Sequence, residues 1–356
     1  MSSTERRRFL STSDWYKFLN EVRTGVVPPE VDLGELRRGV YHDIEQLRQR
    51  PLLVYAVRFV DGQPGPTSID LGDVDGFTDL IDAAGESSNA VDVLIHSPGG
   101  SPEATERIVA LLRGRFQDDV QFLIPHSAYS AATMLALSGN QIILHPSATL
   151  GPIDPQVNGI PAKSIRRGFD KIRDLLKEEG PEALPAYLPL IEKHSIEILE
   201  ICEDSLKLSK ELVTEWLGKY MFAGTDAGDA INRAVEFFSD YDTHKTHSRP
   251  LMFDKLQNLN LKISIAGSPL RQLMREAYIL LNGFFTVTSF VKVFENSEGL
   301  SWGRQFQPIP EMFPSHRSSG SNRASDIGPM EQWRTGFGDP RRNRMRALSV
   351  KPGSIS

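Results

Sequence analysis

Between Val91 and Gln156 the chain reads VDVLIHSPGGSPEATERIVALLRGRFQDDVQFLIPHSAYSAATMLALSGNQIILHPSATLGPIDPQ, a segment that restricts what the rest can fold into. Val91–Ile95 is a short apolar run of the kind that forms a buried strand. His96-Ser97-Pro98-Gly99-Gly100 breaks it, because Pro98 lacks a backbone donor and the glycines permit geometry closed to other residues. Ser101 suits the cap and Pro102 the first turn of the next helix. Ala104, Ile108, Leu111 and Leu112 then recur at helical spacing. A Gly-Gly turn entering a helix leaves free backbone N–H groups at the carboxyl end of the strand, an arrangement that can hold an oxyanion.

Val120–Ile124 reads as a second strand, and Ser130 opens a helix of mostly small side chains, Ala131-Ala132-Thr133-Met134-Leu135-Ala136-Leu137. A serine at that junction is either a cap or a hydroxyl exposed beside the N–H of Ala131. Gln141–Leu144 follows as a strand, and Leu150–Gln156 closes the unit as a rigid loop. Upstream, Leu52–Val60 reads as a strand and Val74–Ala84 as a helix. Alternating strands and helices predict an α/β fold with parallel strands and a ligand site at their carboxyl ends, where both special turns lie.

The turn SPGGS, then YSAAT, then ILHPSATLGPIDPQ, resembles the Clp-protease/crotonase fold and, within it, the serine dehydrogenase proteinase family. That family is related to signal peptide peptidase A and the stomatin-associated membrane proteases. The resemblance is tightest over about Leu52–Phe169, thins towards Gly299 and does not cover the tail. It implies a ClpP/crotonase-like fold of repeated strand–helix units with a helical C-terminal layer, and a homo-oligomer acting on peptide or protein substrates. It also implies that Ser130 is a nucleophile and that the backbone N–H groups of Gly99 or Gly100 and of Ala131 form the oxyanion hole. Ala132 stands where glycine is common in the family.

A serine hydroxyl needs a base. Aligned on HPSATLGPIDP, the Clp histidine falls at Ile153, so that triad is missing. The lysine-using relatives place their base near Ile160-Pro161-Ala162-Lys163, which makes Lys163 the expected partner in a Ser-Lys dyad. Burial, or Arg166 and Arg167 nearby, would have to depress its pKa. His126 and His247 are the alternative bases. His244 and His247 together form a His-x-x-His pair, but no third ligand is evident and no metal or cofactor is expected. Two other functions stay open at this point: a non-catalytic scaffold or adaptor that kept the fold, and a crotonase-like acyl-CoA enzyme.

Flanking regions complete the expected organisation: an N-terminal helical segment over 1–50, the main domain over 51–300 with a helical extension at about 181–222, and a disordered basic tail over 301–356. Helices are expected at Pro161–Glu179, at Thr225–Phe238 with Thr225 as cap, and at Leu270–Glu295. The net charge is −6, yet residues 315–356 carry a net +5, leaving a body of about −11, which argues against nucleic acid as the main partner. The single cysteine, Cys202, excludes an internal disulfide and reads as core filler in an intracellular setting. The basic N-terminus lacks the apolar core of a secretory signal. The longest apolar run, Ala277–Val291, has 15 residues, short of the ~20 a spanning helix needs, and reads as a buried or interfacial helix. A cytoplasmic protein is expected, with peripheral membrane association left open.

Overall fold

The computed structural model describes residues 6–28, 30–59, 66–86, 88–195 and 197–306. Its centre is a seven-stranded mixed sheet. We label the strands β1 (Leu52–Val57), β2 (Ala90–His96), β3 (Asp119–Ile124), β4 (Gln141–Leu144), β5 (Ile263–Ile265), β6 (Phe290–Asn296) and β7 (Ser301–Gln305), in the order β7-β6-β1-β2-β3-β4-β5. Strands β1 to β5 pair in parallel, while β6 pairs antiparallel with β1 and β7 antiparallel with β6.

The central strands are mostly apolar because helices cover both faces. All six residues of β1 are buried. Leu53, Tyr55 and Val57 face one core; Leu52, Val54 and Ala56 face the other. The first core lies beneath α3 (Asp73–Ala83), α4 (Pro102–Arg115), α5 (Ala131–Leu137), α7 (Ile198–Trp216) and α8 (Gly228–Ser239). The second is covered by α1 (Thr12–Arg23), α2 (Leu33–Arg48) and α9 (Leu270–Val287). Helix α6 (Ala162–Glu179) packs on α7 and makes with it a small satellite core around Ala162, Ile165, Ile198 and Cys202. The cysteine is buried there.

The N-terminal segment packs into the body. Phe9, Trp15 and Phe18 form an aromatic cluster in the second core, and Trp15 lies so close to Gly283 that a Cβ there would come within 2.4 Å of the indole. That contact explains a glycine inside the long apolar run.

Three expectations are corrected. Leu270–Glu295 is not one helix: α9 ends at Val287 and β6 begins at Phe290. The hydroxyls of Thr286 and Thr288 donate back to the carbonyls of Gly283 and Phe284, and β-branched residues favour the strand that follows. Helix α8 starts at Gly228, and the Thr225 hydroxyl bonds to the Phe222 carbonyl instead of capping it. Ser301–Gln305 is a strand, so the sheet continues past residue 300; the rest of the expected tail, 307–356, lies outside the described residues. Among the described residues, no helix is long and apolar enough to cross a membrane.

Candidate active site

The turns after β2 and β3 are fastened side by side at the carboxyl edge of the sheet. The Ser97 N–H donates to the Ser127 carbonyl at 3.0 Å, and the Tyr129 N–H to the Ser97 carbonyl at 3.0 Å. Gly99 has φ +93°, and a Cβ on it would sit 2.3 Å from the Tyr129 oxygen and 2.7 Å from the Ser130 Cβ. Only glycine fits where the two turns meet. The Gly99 N–H donates to Ser97 Oγ at 3.1 Å. Gly100 presses on Ile69, whose N–H donates to the Gly99 carbonyl at 2.7 Å and whose carbonyl accepts from Ser101 at 2.9 Å. Among the described residues nothing accepts the Gly100 N–H.

Ser130 sits at φ 52°, ψ −123°, a left-handed conformation that costs a non-glycine residue about 1–3 kcal/mol and recurs at functional turns. It precedes α5, every residue of which is buried, but its side chain does not cap that helix. The hydroxyl has no partner among the described residues. Nor does the Ala131 N–H, since the turn's bonds run from Ala132 to Tyr129 and from Met134 to Ser130. A free hydroxyl therefore lies beside one unpaired backbone donor, with a second, Gly100, on the adjoining turn.

The closing loop is tied to the same place. Buried Thr133 donates to the carbonyls of Ala128 and Gly151, and Gly151 lies against the Tyr129 ring. Leu150 and Leu251 then exchange both antiparallel hydrogen bonds, at 3.0 and 2.9 Å. Four residues on from Leu150 and four before Leu251, Asp154 Oδ1 lies 3.0 Å from His247 Nδ1. Asp154 is 1% exposed and its second oxygen is buried without a partner; His247 is partly exposed. A carboxylate at Nδ1 fixes the tautomer that leaves Nε2 able to accept a proton. In the sequence Asp154 is an acid in the GPIDPQ loop, next to Ile153 at the place of the Clp histidine, and nothing local pairs it with His247.

Lys163, expected as the base, is held by other groups. Its ammonium pairs with Asp242 at 2.7 Å and Asp240 at 3.0 Å, and the bond to Asp242, followed by that to Asp240, raises its pKa. A lysine acting as base at neutral pH needs the opposite shift. Arg167, expected to depress it, also pairs with Asp242. His126 is engaged too: its Nδ1 lies 2.7 Å from Ser127 Oγ and its ring stacks on Tyr278 at 4.3 Å. Burial lowers its pKa. His244 and His247 turn to separate partners, the Phe237 carbonyl and Asp154. The structure thus gathers Ser130, Gly99, Gly100 and Ala131 at one junction and gives Lys163 and His126 contacts of their own.

A strained serine thus stands at the carboxyl edge of the parallel part of an α/β sheet, beside free backbone donors. The profile described as ClpP-like SDH-type serine proteinase matches residues 67–282, more than half of the chain, and the chain belongs to that family. Two proteins of Methanocaldococcus jannaschii are similar. Uncharacterized protein MJ1495 is 28% identical over 175 residues, covering 49% of this chain and 52% of that one. Uncharacterized protein MJ0137 is 35% identical over 96 residues, covering 26% and 33%. The chain thus spans about half, or a third, of the length of these relatives. Two solved structures are also similar. A variant of the 1510-N membrane-bound stomatin-specific protease is 17% identical, with 55% of this chain and 74% of that one covered and a TM-score of 0.32. A variant of ClpP1 from Listeria monocytogenes is 13% identical, with 64% and 98% covered and a TM-score of 0.34.

Proposed function

We propose that the chain is a serine peptidase in which Ser130 is the nucleophile and His247, held by Asp154, is its base. Ser130 Oγ attacks the carbonyl carbon of a peptide bond while His247 Nε2 takes the hydroxyl proton. The carbonyl oxygen becomes an oxyanion, received by the N–H groups of Gly100 and Ala131. Collapse breaks the C–N bond, the imidazolium returns its proton to the leaving amine, and an acyl-serine remains. Water, deprotonated by the same imidazole, then releases the acid and restores Ser130. Asp154 keeps the imidazole in one tautomer and stabilises its charged form.

The observation that carries this reading is the Asp154–His247 pair, tethered through the Leu150–Leu251 bridge to the loop that packs on the Ser130 turn. The Ser-Lys alternative has the sequence context of Lys163 in its favour, but that ammonium is paired with two aspartates and its pKa is raised. Of the two glycines, Gly100 suits the oxyanion because the Gly99 N–H is already given to Ser97. Homo-oligomeric assembly, implied by the resemblance, is supported by exposed Leu184, Leu188, Leu190 and Ile201 on the helical extension. Hydrolysis of fluorescein-labelled casein by the wild type and by Ser130→Ala tests the activity. Cleavage is expected only in the first; equal cleavage by both removes Ser130 from the mechanism.

A further inference from the structure

Strand β6 reads FVKVFEN and is buried along its whole length, yet its third residue is a lysine. Lys292 is 0% exposed. Its ammonium reaches the Ser68 carbonyl at 2.6 Å, Asp70 at 2.9 Å and both oxygens of Asp73 at 2.9 and 2.8 Å. Asp73 is itself fully buried and also accepts from the Tyr55 hydroxyl at 2.8 Å, and Arg304 pairs with Asp70 at 2.9 Å. Two cations meet two carboxylates, so the cluster is neutral. An apolar side chain would hold a buried strand as well as such a network does, and often better. The charges call for a reason beyond stability.

Position supplies one. Ser68 and Asp70 flank Ile69, and Ile69 is the residue that grips the Gly99 carbonyl and the Ser101 N–H on either side of Gly100. We infer that Lys292 is a positioning residue: it fixes the 68–70 segment, and through Ile69 it aims the Gly100 N–H at the oxyanion. This rests on the Ser130 reading above and extends it to a residue that touches no substrate. A fixed donor does most where charge appears only in the transition state. A lysine joining two carboxylates and a carbonyl fixes a loop in more directions than packing alone can.

The test uses the full chain, a fluorogenic peptide amide as substrate and a dipeptide boronic acid as transition-state analogue. Lys292→Met is compared with the milder Asp73→Asn, which keeps the shape of the site. In both, kcat should fall roughly 10–10²-fold, below the loss typical of deleting an oxyanion donor outright. The boronic acid should bind weaker by the same factor, while KM changes less than about twofold. A merely structural role would lower Tm and the active fraction but leave the analogue's Ki unchanged, and that result overturns the inference. If Lys292→Met does not fold, Asp73→Asn decides: wild-type kcat and Ki in that variant also overturn it. Failure of the underlying reading looks different, because the wild type would then bind the boronic acid no better than Ser130→Ala does.

Discussion

His247 Nδ1 lies 3.0 Å from Oδ1 of Asp154, a residue 93 positions earlier in the chain. The pair exists because two loops run antiparallel through Leu150 and Leu251, and because Thr133 and the Tyr129 ring hold the first of them against the Ser130 turn. The acid is buried with one oxygen unpartnered, while the imidazole is partly exposed. This is the polarity a base needs when its orienting group must stay out of water and its reactive nitrogen must meet substrate.

Asp154→Asn tests the orienting role. The amide is nearly isosteric, so the fold should survive, but it can leave the imidazole in the wrong tautomer. We expect kcat to fall by about 10²–10⁴ with little change in Tm. Turnover within threefold of the wild type would remove Asp154 from the site.

Ser130→Gly and Ser130→Ala should both be inactive yet differ in stability. Alanine keeps the cost of a positive φ at 52°, and glycine relieves it. Urea unfolding should place the glycine variant about 1 kcal/mol above the alanine variant. Equal stability would mean that the turn carries no strain.

His96 sets part of the acid limb of stability. It is 3% exposed, and burial, helped by neighbouring His126, pushes its pKa from 6.5 down to about 3. The unfolded chain therefore binds this proton first. The neutral imidazole's contribution is complete above the unfolded value of 6.5 and is lost progressively as pH falls towards the folded value. Between pH 7 and pH 5 the wild type should lose about 2 kcal/mol from this group. In His96→Asn, urea unfolding at the two pH values should show that part of the loss gone. An unchanged slope would mean that His96 titrates normally in the fold.

Much of this architecture is legible in the sequence because local rules and tertiary packing agree. The expected strand at Gln141–Leu144 matches the observed one, and Val91–Ile95 lies within β2. The Gly-Gly turn is necessary since Gly99 touches the Ser130 turn, a contact only glycine permits. Ser130 stands out for its place at a strand-to-helix junction. Where the reading departs from the structure, the cause is long-range. Thr286-Val287-Thr288 gives no periodicity that separates a helix end from a strand start, so most of β6, with its buried Lys292, merges into the helix expected over Leu270–Glu295. Lys163 has the sequence context of a base, but Asp240 and Asp242, supplied by a distant turn, decide its protonation. His247 lies in a polar loop without pattern; its significance comes from Asp154, which only the Leu150–Leu251 register brings to it.

The most direct measurement is the rate at which a fluorophosphonate modifies Ser130, located by mass spectrometry, in the wild type, His247→Gln and Lys163→Met. If His247 is the base, the wild type is labelled at Ser130, Lys163→Met reacts within about threefold of it, and His247→Gln is slower by about 10² or more. Labelling of His247→Gln at the wild-type rate, with Lys163→Met unreactive, would contradict the account and return the mechanism to a Ser-Lys dyad.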